Sequence, residues 1–283
     1  MPILAGASVQ DRKRLLELFP VADLRQVWAG IPGNKAEICQ AVAEQPNVDA
    51  VANFVDAQFS CCRQHVYVFE AVDPDAPAVA FPAALGECEQ VTAVHGRALY
   101  MLRSVSQVIL KDPLEETTLE FLWPVRVEVQ TPYVVVSCVM LEKDFGAYFD
   151  RPFYVGNRGV DEKDVVGGFS SALSLKPADL HKGIKKLWDE GFMDSPRTKY
   201  KKTKSLASET MDEELGIREH NPDLYAVLVD TPLYNTLFAI AADKETSVSV
   251  FSADPSKGTL AFPRYSKVGD TDVVIREILQ NNL

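Results

Sequence analysis

The stretch TTLEFLWPVRVEVQTPYVVVSCVML, Thr117 to Leu141, carries the clearest structural signal in the chain. Within it VRVEV, Val125 to Val129, alternates apolar and charged residues, the period-two pattern of a strand with one face in a core. Thr131 and Pro132 supply a turn. YVVVSCVML then reads as a more deeply buried partner, because its run of β-branched residues suits a strand covered on both faces. The two segments predict an antiparallel hairpin.

On the C-terminal side a second β region is expected through LYAVLVD (224–230), LYNTLFAIAA (233–242), SVSVFSA (247–253) and TLAF (259–262). The turn-like ADKE and DPSKG separate these runs. DTDVVIREILQ, from Asp270, predicts a short closing helix with Asp270 or Asp272 as its cap.

On the N-terminal side the pattern is helical. Leu15, Leu18 and Phe19, then Leu24, Val27 and Trp28, then Ile38, Ala41 and Val42, then Val51, Phe54, Val55 and Phe59 recur at helical spacing. EAVDPDAPAVAFPAALG, Glu70 to Gly86, loses that period around Pro74, Pro77 and Pro82, and so reads as a linker. GRALYMLRSVSQVIL (96–110) reads as one more helix. The fold class expected is α+β: a helical domain over 1–72, a linker over 73–90, and a mixed α/β domain with antiparallel strands over 91–283.

No apolar run approaches the roughly 18 to 20 residues that span a bilayer, and the N-terminus has no basic segment before its short apolar stretch. A cytoplasmic protein without a membrane partner is expected. Five cysteines, Cys39, Cys61, Cys62, Cys88 and Cys138, form no C-x-x-C pair, so reduced buried thiols are expected rather than disulfides or zinc. His65 stands four and three residues from Cys61 and Cys62, a helical spacing that joins two ligands at most. No metal and no cofactor are expected.

The formal net charge of -11 argues against a polyanion as partner, yet the charge is segregated. Between Asp179 and Lys204 stand eight Lys or Arg and four Asp or Glu. KPADLHKGIKKLWDEGFMD predicts a helix with Pro177 in its first turn and Gly191 at its end. Leu180, Ile184, Leu187 and Trp188 form its core face, and Lys182, Lys185 and Lys186 share an exposed stripe. The basic strip SPRTKYKKTKS follows, with Arg197, Lys199, Lys201, Lys202 and Lys204, and with Tyr200 as a stacking surface. A helix followed by a basic excursion has the outline of a winged helix over about 165–210, in which cations neutralise phosphates. The same residues also suit a solvated loop, or a patch docked on the acidic segment ETMDEELGIRE (209–219).

LRQVWAGIPGNKAEICQAV resembles the SAP motif, a helix, extended loop, helix unit that binds DNA. The likeness runs from about Leu15 to Glu44, on Leu24, Val27, Gly30, Ile31, Gly33, Lys35 and Ile38. Its loop is shorter than the family's, and QAVAE stands where a basic residue is common. The resemblance implies that Lys35 and the amides near Gly33 and Asn34 face a phosphate.

Phosphate-binding glycine loops, a G-x-S-x-G elbow and H-E-x-x-H are all absent from the sequence. The expected function is therefore nucleic-acid binding, DNA binding in particular, or an adaptor role. The alternatives are a protein-interaction scaffold, with a protein partner or a second copy of the chain, and a metal-dependent nuclease. The nuclease reading would draw on Glu120, Glu128, Glu142, Lys143 and Asp144, or on the Asp73/Asp75 and Asp270/Asp272 pairs.

Overall fold

The computed structural model describes residues 3–71, 87–94, 96–141, 144–158, 161–202, 205–211 and 216–283. The chain begins with helices α1 (Ile3–Gly6), α2 (Val9–Glu17), α3 (Val21–Val27), α4 (Lys35–Ala43) and α5 (Val48–Gln58). Strands β1 (Gln64–Glu70), β2 (Cys88–Val94), β3 (Arg97–Leu110), β4 (Glu115–Gln130), β5 (Tyr133–Val139) and β6 (Phe153–Arg158) follow. Then come α6 (Glu162–Ala172), β7 (Lys176–Pro177), α7 (His181–Asp189), β8 (Met193–Lys202), β9 (Ser205–Thr210), α8 (Ile217–His220) and α9 (Pro222–Val229). The chain closes with β10 (Leu233–Ile240), β11 (Val250–Asp254), β12 (Thr259–Phe262) and α10 (Asp270–Asn282).

Among the described residues all twelve strands join one sheet, ordered β2-β3-β4-β5-β1-β12-β11-β10-β8-β9, with β6 on β3 and β7 on β1. The β4–β5 hairpin forms as its alternation predicts, with Gln130 opposite Tyr133 and Val125 opposite Cys138. The fold is thus α+β with a large antiparallel sheet. The linker expected over 73–90 lies mostly outside the described residues, and its last part belongs to β2.

Four of the N-terminal helices stand where periodicity placed them. Ser8 and Asn34 cap α2 and α4 through reciprocal capping boxes with Asp11 and Glu37. These helices share one apolar core with β2–β5 and α6. Gln64–Glu70 is not helical: it lies mid-sheet, paired with β5 and β12. His65 therefore stands on a strand, not on one helix face with a thiol. None of the five cysteines forms a disulfide.

Two segments take the other secondary structure from the one expected. Arg97–Leu110 is strand β3, because its backbone pairs with β2, β4 and β6, and from Ser104 to Val108 its residues alternate between buried and exposed. LYAVLVD is helix α9, because Asn221 caps it through the amide of Leu224 and Pro222 sits in its first turn. At α10 the N-cap is Gly269, not an aspartate. Asp270 instead accepts from the Ser247 amide, and Asp272 pairs with Arg126, which lies over the Phe59 ring.

A second core lies on one face of the sheet's C-terminal half, beneath α7 and α10. Phe238, Phe251 and Phe262, on β10, β11 and β12, stack in sequence with centroids 5.5 Å apart. Trp188 of α7 meets Phe238 edge-on, and its indole donates to Asp194. Gly183 lets α10 approach α7 closely, since a Cβ there would strike the Ile278 carbonyl. The core face predicted for α7, Leu180, Ile184, Leu187 and Trp188, is buried here.

Candidate functional site

The basic strip is a strand, not a loop. Residues Pro196 to Tyr200 of β8 alternate strictly: Pro196, Thr198 and Tyr200 are buried, and Arg197 and Lys199 are exposed, as is Lys201. Pairing with β10 on one side and β9 on the other holds this register. A strand's period of two then sends the three cations to one face and the apolar residues into the second core.

Tyr200 is one of those core residues. It is 4% exposed, and its hydroxyl donates to Glu209 at 3.3 Å. Its ring is unavailable for stacking on a ligand. The aromatic side chain on the cation side is Tyr234, half-buried and directly opposite Lys199 in the β8–β10 register. Lys202 ends the strand, and Lys204 lies outside the described residues.

Lys182, Lys185 and Lys186 do not join this surface. Tyr200 faces the core that α7 covers, so Arg197, Lys199 and Lys201 face the opposite side of the sheet. The combined helix-and-strip surface expected from sequence is thereby separated by the sheet. The helix lysines also have intramolecular partners. Lys182 donates to the Leu283 carbonyl, Lys185 to the Val229 carbonyl, and Lys186 lies 4.0 Å from Glu190. Burial pulls the Lys185 ammonium below its ordinary pKa, against the opposing pull of Asp230 and Asp179. In contrast, Arg197, Lys199 and Lys201 have no side-chain hydrogen bond or ion pair among the described residues.

In the SAP-like segment, Lys35 opens α4 and donates to the Glu17 carbonyl at 2.6 Å. The Asn34 amide donates to Glu37 at 2.7 Å, so a carboxylate of the chain itself occupies this helix start. Gly33 has φ +118°, and a Cβ there would collide with the Glu37 side chain.

The face bearing the cations continues uncovered across β10, β11 and β12. Leu237, Ser252 and Ala261 point to it and are only partly buried, whereas Phe238, Phe251 and Phe262 are buried on the other side. Cross-strand register links one row: His65 opposite Ala261, Ala261 opposite Ser252, Ser252 opposite Leu237, Leu237 opposite Arg197. At about 4.8 Å per strand the row runs roughly 19 Å from His65 to Arg197.

At the His65 end lies a concavity of about 370 Å³. His65, Tyr67, Asn235, Ser252, Asp254 and Thr259 line it, with Lys257 at its rim. Glu162, at the start of α6, organises one wall. The Nδ1 of His65 lies 2.9 and 2.8 Å from its two oxygens, and the Tyr67 hydroxyl donates to it at 2.9 Å. Burial, reinforced by the Glu162 charge, pushes the Tyr67 phenol up, so it remains a donor. Cys138 sits opposite His65 in register, and burial pushes its thiol well up, which keeps it unreactive. On the opposite wall Lys257 reaches Asp254 at 2.8 Å.

Sequence reasoning missed this concavity. His65 and Glu162 are 97 residues apart, and only the period-two pattern of QHVYVFE could have placed His65 and Tyr67 on one strand face. Of the carboxylates expected to serve a nuclease, Glu120 lies beside Arg103, Glu128 accepts from Gln130, and Asp270 and Asp272 are engaged as described. Asp73, Asp75, Glu142 and Lys143 fall outside the described residues. Among the described residues no three His, Cys, Asp or Glu side chains gather closely enough to hold a metal ion, and no helix is long and apolar enough to cross a membrane. No protein-family model matches the chain, and no curated protein matches it in sequence.

Proposed function

We propose that the chain binds single-stranded nucleic acid across the uncovered face of its sheet. The observation that carries this reading is the row of Arg197, Lys199 and Lys201, three cations without acidic partners among the described residues, on one strand face of a chain whose net charge is -11. Cations held apart from the chain's own carboxylates are free to neutralise phosphates, and Tyr234 beside Lys199 adds a ring on which a base can stack. Neighbours on β9 add no acid to this face: Leu206, Ser208 and Thr210 pair with Lys201, Lys199 and Arg197.

In this reading the β8–β9 hairpin works as a wing does, through strand cations, with no helix entering a groove. That favours a single strand, whose bases are open to stacking, over a duplex. Three phosphate contacts to a single strand predict that log K falls against log salt with a slope of about -2. Affinity should then drop roughly 20-fold between about 50 and 200 mM salt, measured by fluorescence anisotropy with labelled oligonucleotides. A slope near zero, or no binding to any single strand, would overturn the proposal.

A further inference from the structure

We infer that the concavity beside His65 is a base-reading subsite, selective for a nucleobase with an exocyclic amine next to a ring-nitrogen acceptor, as in adenine or cytosine. This inference rests on the reading of the sheet face given above.

The first argument is positional. Asn235 has φ +37°, a left-handed conformation rare outside glycine but tolerated by asparagine, and the β8–β10 register shifts between Tyr234 and Leu237. Residues along a strand otherwise alternate between faces. The bulge puts Tyr234 beside the cation row while the adjacent Asn235 lines the concavity. Bulges are a common device for re-aiming a side chain at a functional surface. Here one joins the stacking ring to the polar hollow.

The second argument is chemical. The Glu162 carboxylate and the Lys257–Asp254 pair leave the walls without net positive charge, which suits a base better than a phosphate. Glu162 accepts from Nδ1–H of His65, so in the neutral imidazole the Nε2 lone pair is an acceptor. Among the described residues Nε2 of His65, the Asn235 carboxamide and the hydroxyls of Ser252 and Thr259 have no side-chain hydrogen-bond partner. A carboxamide offers a donor and an acceptor side by side, the pattern that pairs with N6 and N7 of adenine or with N4 and N3 of cytosine. Nε2 supplies a further acceptor for the amine. Thymine and uracil can also pair with the carboxamide, through O4 and N3–H, so discrimination falls to Nε2, which would face their carbonyl.

The third argument is the division of labour. Phosphate contacts position a nucleic acid, and base contacts give sequence preference. The concavity spans the sheet from His65 on β1 to Asn235 on β10, and the cations stand on β8 beyond Tyr234, so one strand laid along the row meets both kinds of contact.

The test compares short labelled homo-oligonucleotides of deoxyadenosine, deoxycytidine and thymidine on the full chain and on Asn235→Gly, which keeps the backbone conformation and removes the carboxamide. Wild type is expected to bind the adenine or cytosine strand about tenfold more tightly than the thymine strand, in line with one base-reading contact. In His65→Ala that preference should vanish, with the salt slope unchanged. Asn235→Gly should weaken binding of all three strands. A preference that survives His65→Ala, or equal affinity for all three strands in wild type, would overturn the subsite while leaving the cation row in place. Absence of binding to every strand would overturn both.

Discussion

Helix α7 and strand β8 are neighbours in sequence and alike in basic residues, yet they make opposite use of them. On α7 each lysine meets an acceptor of the chain, and the helix seals a core with Trp188. On β8 the cations alternate with buried Thr198 and Tyr200, and they reach the far side of the sheet without partners among the described residues. Local charge density says how much positive charge a segment has. Secondary structure decides which face receives it and whether the protein has already spent it.

The two tyrosines of this region sharpen the contrast most strongly. Tyr200→Ala removes a buried ring and should lower unfolding free energy by about 3 kcal/mol or more, measured by urea denaturation. Tyr234→Ala should leave the fold nearly as stable but weaken single-strand binding by about 1 to 3 kcal/mol. The reverse pattern would mean that the faces have been assigned the wrong way round.

A smaller effect separates the lysines. Lys185→Met loses the bond to the Val229 carbonyl and should lower stability by about 1 kcal/mol at neutral pH, whereas Lys199→Met should change it by less than about 0.5. Because the folded pKa of Lys185 lies below its ordinary 10.5, the unfolded chain holds that proton more tightly. Wild-type stability relative to Lys185→Met should therefore rise with pH between the lowered value and 10.5. A difference that falls over this window would contradict the burial of that ammonium.

Much of the fold was legible locally. Val125–Val129 and Tyr133–Val139 announced the hairpin, and the α7 core residues and the N-terminal helical stripes stood where their spacing put them. Errors arose where partners distant in sequence decide the outcome. Ala98, Leu99, Met101 and Leu102 favour a helix by themselves, but pairing on both edges makes them a strand. Leu224–Asp230 has strand-like composition, but Asn221 and Pro222 start a helix.

The same division applies to the site. The cation row was visible in the sequence as charge, and its face was legible only once β8 was known to be a strand. Strand alternation sends Tyr200 into the core, and Tyr234 on β10 stands on the cation face instead. The pairing of His65 with Glu162 and the bulge at Asn235 depend on sheet order, for which no local pattern exists.

The most direct test sets two triple variants side by side. Arg197→Glu/Lys199→Glu/Lys201→Glu and Lys182→Glu/Lys185→Glu/Lys186→Glu change charge equally, at positions close in sequence and on opposite sides of the sheet. With a labelled single strand at about 0.1 M salt, the strand variant should lose roughly 100-fold in affinity, the share expected of three phosphate contacts. The helix variant, folded by circular dichroism, should stay within about threefold of wild type, as expected for charges outside the contact surface. Equal losses in the two variants would reduce the effect to net charge, and a larger loss in the helix variant would contradict the assignment of the binding face.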